Sequence, residues 1–155
     1  MTNLTGLKVL FVAGFGPVVR DPAISKSFYV DTLGLPLEPM PNDSTYYHGE
    51  SIEGVRHFAL WPLTHAAQSC FGSDVWPDNV PVPHSWLEFD VEDVPSATNV
   101  LRDRGHTLLV EARQEPWGQT VARILTNEGV ILGISYAPWL HKTKSRAKAK
   151  SKRGR

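Results

Sequence analysis

Apolar and polar positions along this chain follow two periods, and the alternation between them predicts its elements. Val9 to Phe15 is almost wholly apolar and reads as a buried strand that runs on to Val18 and Val19. Asp21 then stands where a helix N-cap is expected, with Pro22 in the first turn, Ile24 and Phe28 on one helical face, and Gly34 as the stop. The same grammar returns in the second half. Trp86 to Val91 has strand character, Asp93 is the cap, Pro95 lies in the first turn, Val94, Ala97 and Leu101 share a face, and Gly105 ends the helix. Downstream, Glu53-Gly54-Val55 leads into His57 to Trp61, and Glu128-Gly129-Val130 leads into Ile131 to Tyr136, each a turn feeding a strand. Each half also has room for two further strands, around Leu35 to Met40 and Thr45 to His48 in the first, and Thr107 to Ala112 and Gln119 to Leu125 in the second.

A repeated unit fixes the architecture before any single element does. The chain reads as an α+β domain over residues 1–141, with two β-α-β-β-β modules at about 8–62 and 84–140. The segment 62–83 is read as a long loop joining them; it carries His65, Cys70, Phe71, Trp76 and four prolines, and serves either as a cover or as a linker packed outside.

Charge changes this picture only at the end of the chain. Eight of the sixteen Lys and Arg fall in residues 142–155, so residues 1–141 hold eight basic against sixteen acidic side chains: an acidic domain precedes a basic arm. The arm lacks apolar periodicity and is expected to be disordered. The lone Cys70 forms no intrachain disulfide, and no apolar run approaches the roughly 20 residues that span a bilayer, so a cytoplasmic protein without membrane insertion is expected. No Ser-His-Asp order, phosphate-binding glycine loop or dinucleotide fingerprint is present.

The Val18-Val19-Arg20-Asp21 and Phe89-Asp90-Val91-Glu92-Asp93 strand ends, the Phe28-Tyr29 and Leu33-Gly34-Leu35-Pro36 stretch, and the Glu115-Pro116-Trp117-Gly118 loop together resemble the vicinal oxygen chelate superfamily of glyoxalases, extradiol dioxygenases, fosfomycin-resistance enzymes and bleomycin-resistance proteins. The resemblance spans about residues 8–140. It implies two βαβββ modules whose sheets form a half-open curved surface around a cavity, and a homodimer.

Metal-dependent members of that superfamily place ligands on the first and last strands of each module. The resemblance maps these positions to Gly14 and Trp86, seven residues before Asp21 and Asp93, and to Phe58 and Gly133, four residues after Gly54 and Gly129. None offers a metal a donor side chain. A two-residue shift of register brings in His84, and a one-residue shift His57, and these two are the fallback ligands; His48, His57, His65 and His84 are the histidines that a fold can bring together, although lone histidines in or near strands are more often packed or surface residues. No cofactor is expected.

The aligned cavity is therefore organic. Trp86 and Phe58 point into it by the module alignment, Gly14 and Gly133 hold the other two mapped positions, and Glu88 and the loop residue Trp117 are further ligand-binding candidates. Alternation puts Trp86, Glu88 and Asp90 on one strand face. A small aromatic or amphipathic ligand, bound by stacking and apolar burial as in bleomycin-resistance relatives, is the leading reading. Three alternatives stay open: Glu88 as a general base toward a carbonyl compound, a metal-dependent glyoxalase-like lyase or dioxygenase, and non-specific nucleic-acid contact through the basic arm.

Overall fold

A computed structural model of the chain describes residues 7–141. The basic arm, residues 142–155, lies outside the described residues. Eight strands form one sheet: β1 (Val9–Val19), β2 (Glu38–Met40), β3 (Asp43–Gly49), β4 (Phe58–Pro62), β5 (Ser85–Val91), β6 (Leu108–Gln114), β7 (Thr120–Leu125) and β8 (Val130–Tyr136), in the order β2-β3-β4-β1-β5-β8-β7-β6. Within each half the first and last strands pair in parallel, β1 with β4 and β5 with β8. The halves join through the antiparallel β1–β5 pair, whose register sets Gly14 opposite Glu88, Phe15 opposite Leu87 and Gly16 opposite Trp86. Shifting by the repeat that carries Asp21 to Asp93 carries Phe15 to Leu87, so this pair marks an approximate two-fold axis between the modules.

Both module helices start where their caps dictate. Asp21 Oδ1 accepts from the backbone amides of Ala23 and Ile24, opening α1 (Pro22–Lys26), which continues as a π-helical turn, Ser27–Thr32. Asp93 accepts from the amide of Ser96, opening α3 (Val94–Asp103). Each cap satisfies N–H groups that have no partner inside the helix. Val94, Ala97 and Leu101 are buried as expected and pack on Ala122, Ile124 and Ile134. The first helix differs. Ile24 and Phe28 face solvent, 68% and 49% exposed, while Tyr29 and Val30 turn inward onto Val19, Leu37 and Leu60. The widened π-helical turn shifts the inward face past the Ile24–Phe28 stripe. The opening strand is likewise only partly buried, with Val9, Leu10, Val12 and Phe15 all more than 40% exposed.

The segment after β4 is not a loop throughout. Leu63–Phe71 forms α2, with Ala66, Ala67 and Cys70 buried against Trp86, Val110 and Ile131. Leu63, Ala66, Ala67 and Cys70 recur at the spacing of one helical face. The two sheet faces thus have different covers: α1 and α3 lie on one, and α2 on the other. Among the described residues no helix is long and apolar enough to cross a membrane.

Candidate functional site

Strand alternation sends Gly14, Gly16, Trp86, Glu88, Gly133 and Ser135 to the α2 side of the sheet. On β4 the α2 side is taken by Ala59 and Trp61, with His57 continuing the series just before the strand; Phe58 and Leu60 face α1. The expected placement of Phe58 beside Trp86 is therefore corrected by one residue. Gly54 and Gly129 open turns of unequal length, since β8 begins at Val130, directly after its glycine, whereas β4 begins only at Phe58.

Side chains occupy the space in which a cavity was expected. Trp86 is 8% exposed, and its indole N–H donates to the Ala59 carbonyl at 3.1 Å. The Trp61 ring meets it edge-on at 6.3 Å and the His57 ring lies 6.0 Å away. Glycine makes this possible: a Cβ on Gly16 would stand 2.0 Å from the Ala59 carbonyl oxygen and 2.9 Å from Trp86 Nε1, and one on Gly14 would stand 3.0 Å from the Trp86 ring. The superfamily's metal does not fit here. Its four mapped positions carry two glycines, an indole that fills the centre, and a phenylalanine on the far face. One register step brings in His57 alone.

Beside Trp86 lies a polar network. Glu88 Oε1 accepts from Gln119 Nε2 at 2.8 Å and from the Ser135 hydroxyl at 3.1 Å; the Trp117 indole N–H in turn donates to Gln119 Oε1 at 2.8 Å. Trp117 itself is 59% exposed, so a continuous chain of hydrogen bonds runs from the surface to Glu88. Glu88 retains some accessible surface yet is closely surrounded by protein; burial pushes its carboxyl above the usual range, against the pull of Arg123 and its two hydrogen bonds. Gly133 faces Glu88, whose Cγ would lie 3.0 Å from a Cβ there.

Arg123 is a site residue the sequence reading missed. It is 6% exposed, donates to the Ser69 hydroxyl at 2.8 Å, and sits 5.4 Å from the centroid of the Trp61 ring. With Arg113, which donates to the Ser69 carbonyl at 2.9 Å, it ties α2 to β6 and β7. Cys70, on the same helix, has its thiol pushed up by burial.

Asp90 shares the strand face of Glu88 but belongs to another cluster. It is fully buried, its Oδ2 lies 2.9 Å from His141 Nε2, and His141 stacks on Tyr136 at 4.4 Å. Its Oδ1 has no hydrogen-bond partner among the described residues, and burial raises its carboxyl despite His141 and the Ala137 amide.

Of the candidate histidines, His84 is exposed and stands apart, His65 pairs with Asp43 at 2.8 Å, and His57 gathers with His48. Burial lowers the His57 imidazole, opposed by Glu50. On the other side of the sheet, an open recess of about 560 Å³ is lined by Phe15, Tyr29, Phe58, Leu87 and Val130, with His84, Gly16 and Trp86 also on its wall. Phe15 and Phe58 meet edge to face at 5.6 Å.

A family model described as Glyoxalase/Bleomycin resistance protein/Dioxygenase superfamily matches residues 15–134. No curated protein sequence matches the chain. Among solved structures, a glyoxalase/bleomycin resistance protein/dioxygenase superfamily member from Vibrio splendidus 12B01 aligns at 17% identity with a TM-score of 0.53, covering 81% of this chain and 97% of that one. A variant of homoprotocatechuate 2,3-dioxygenase from Brevibacterium fuscum aligns at 21% identity with a TM-score of 0.55, covering 84% of this chain but 33% of that one. At these identities the likeness is one of fold.

Proposed function

The chain belongs to the glyoxalase/bleomycin resistance protein/dioxygenase superfamily, and within it we propose a protein that holds a small aromatic or amphipathic molecule without a metal at the superfamily's four strand positions. One observation carries this reading: Trp86 fills the centre between the modules and is hydrogen-bonded to Ala59, which leaves that centre little room. The seat we assign to it is the recess over the β1–β5 junction, where Phe15, Tyr29 and Phe58 offer ring faces and edges and His84 offers a polar group. Flat apolar walls with few polar groups suit a planar ligand held by stacking and desolvation.

The test uses chelator-treated protein and two amphipathic aromatic probes, anilinonaphthalene sulfonate and bleomycin, followed by fluorescence. Saturable binding of one probe at one site per chain, weakened about ten-fold or more by Phe58→Ala, is the expected result, because one aromatic contact of this kind contributes about 1.5–3 kcal/mol. Absence of saturable binding, or binding indifferent to Phe58→Ala, counts against it.

The Trp117-Gln119-Glu88 chain supports a second reading, in which Glu88 accepts a proton from a carbonyl substrate. Turnover of a carbonyl compound that disappears in Glu88→Gln supports it; binding without turnover does not.

A further inference from the structure

We propose that His48, Glu50 and His57 form a binding site for one divalent transition-metal ion, built where β3 turns toward β4 in the first module, with His57 alone one register step from a position its superfamily uses. This goes beyond the ligand-binding role above and stands or falls without it.

The site follows from strand geometry. His48 near the end of β3 and Glu50 just past it are two residues apart and, with the strand continued by one residue, share a face. The antiparallel register of β3 with β4 pairs His48 with Ala59 and Gly49 with Phe58, which brings Glu50 alongside His57. One ring nitrogen from each histidine and a carboxylate oxygen of Glu50 all lie within 4.8 Å of one another, and among the described residues this is the group that satisfies that spacing. The two imidazole centroids are 5.7 Å apart.

The histidines are held, and the carboxylate is free to close. His48 and His57 are half-buried, whereas Glu50 is exposed. The His57 ring rests near Trp86, its Nε2 lies 3.4 Å from the Tyr46 hydroxyl, and its Cβ sits where a side chain on Gly14 would be, 3.2 Å from that position. Outer contacts of this kind orient a ligating imidazole. Tetrahedral ligands about 2.0–2.1 Å from a metal stand about 3.4 Å from each other, so the group needs a modest contraction that rotation of Glu50 supplies. Two imidazole nitrogens and a carboxylate oxygen suit Zn²⁺, Fe²⁺, Co²⁺ or Ni²⁺ better than Ca²⁺ or Mg²⁺, and three protein ligands leave a coordination position for water or a small molecule.

The experiment is equilibrium dialysis of the full chain, without an affinity tag and after chelator treatment, against Zn²⁺, with Co²⁺ absorption as a second readout of ligand geometry. The expected outcome is one metal per chain, with affinity falling about ten-fold or more in His48→Gln and in Glu50→Gln and unchanged in His106→Ala, whose side chain is exposed elsewhere. Glu50 is a surface residue, so its variant reports on binding without jeopardising the fold. Failure to take up stoichiometric metal, or uptake that the His48 and Glu50 substitutions leave intact, overturns the proposal. Probe binding by the metal-stripped protein is measured separately, so the two readings fail independently.

Discussion

The amide oxygen of Ala59 and the indole nitrogen of Trp86 are 3.1 Å apart, joined by a hydrogen bond that crosses from the last strand of one module to the first strand of the other. That bond passes directly over Gly16, where any side chain would collide with both partners. Gly16→Ala is therefore expected to destabilise the protein by about 2–4 kcal/mol, at or beyond the upper end of overpacking penalties because the nearest obstacle is backbone. Urea unfolding followed by fluorescence measures it; a loss below half a kilocalorie would mean that the strands slide apart without cost.

Trp86 itself separates packing from hydrogen bonding. Trp86→Phe keeps most of the buried area but strands the Ala59 carbonyl, for which about 1–3 kcal/mol is expected. Trp86→Ala removes the plug as well and should cost about 3–5 kcal/mol. Equal losses in the two variants would show that the hydrogen bond, not the volume, governs this position.

The raised Glu88 carboxyl makes stability depend on pH in a defined direction. A carboxyl whose folded pKa lies above its unfolded value contributes stability below the unfolded pKa, and that contribution is lost as pH rises through the folded pKa. Glu88→Gln imitates the protonated acid, and its Oε1 can still accept from Gln119 and Ser135. The stability of this variant relative to the parent should therefore increase between pH 4 and pH 8. Denaturant midpoints of both proteins at several pH values give the comparison, and a difference that stays flat or reverses sign would show that Arg123 outweighs burial.

Much of this architecture is legible in the sequence because its signals are local. Asp21 and Asp93 cap their helices as read, and the paired strand ends place Gly14, Trp86 and Glu88 on one face of the sheet. The face of β4 is not legible, because it depends on how many residues a turn consumes, which Gly54 does not reveal. The stripe of Leu63, Ala66, Ala67 and Cys70 is visible in hindsight, but small side chains among four prolines give a weak helical signal. Arg123 could have been suspected: a single charge in Thr120–Leu125, a strand apolar on both faces, must find buried partners. What no local pattern reveals is that α2 supplies Ser69 as that partner from 54 residues away.

Cys70 offers a probe of that cover. Its thiol is buried under α2 and disfavoured as a thiolate, so reaction with a disulfide reagent at pH 8 should be slow and limited by opening of the helix. Arg113→Ala, which removes the bond to the Ser69 carbonyl, should accelerate labelling several-fold. Fast labelling of the parent protein would show that α2 does not stay closed.

Glycine opposite Trp86 and glycine opposite Glu88 give the central seam a handedness of size: the first module brings hollows and the second brings bulk. Like halves cannot substitute for one another across this seam, since two first modules would leave a void and two second modules would collide. The two halves are thus unlike partners, and any exchange of halves between two copies of the chain must still match a first module with a second.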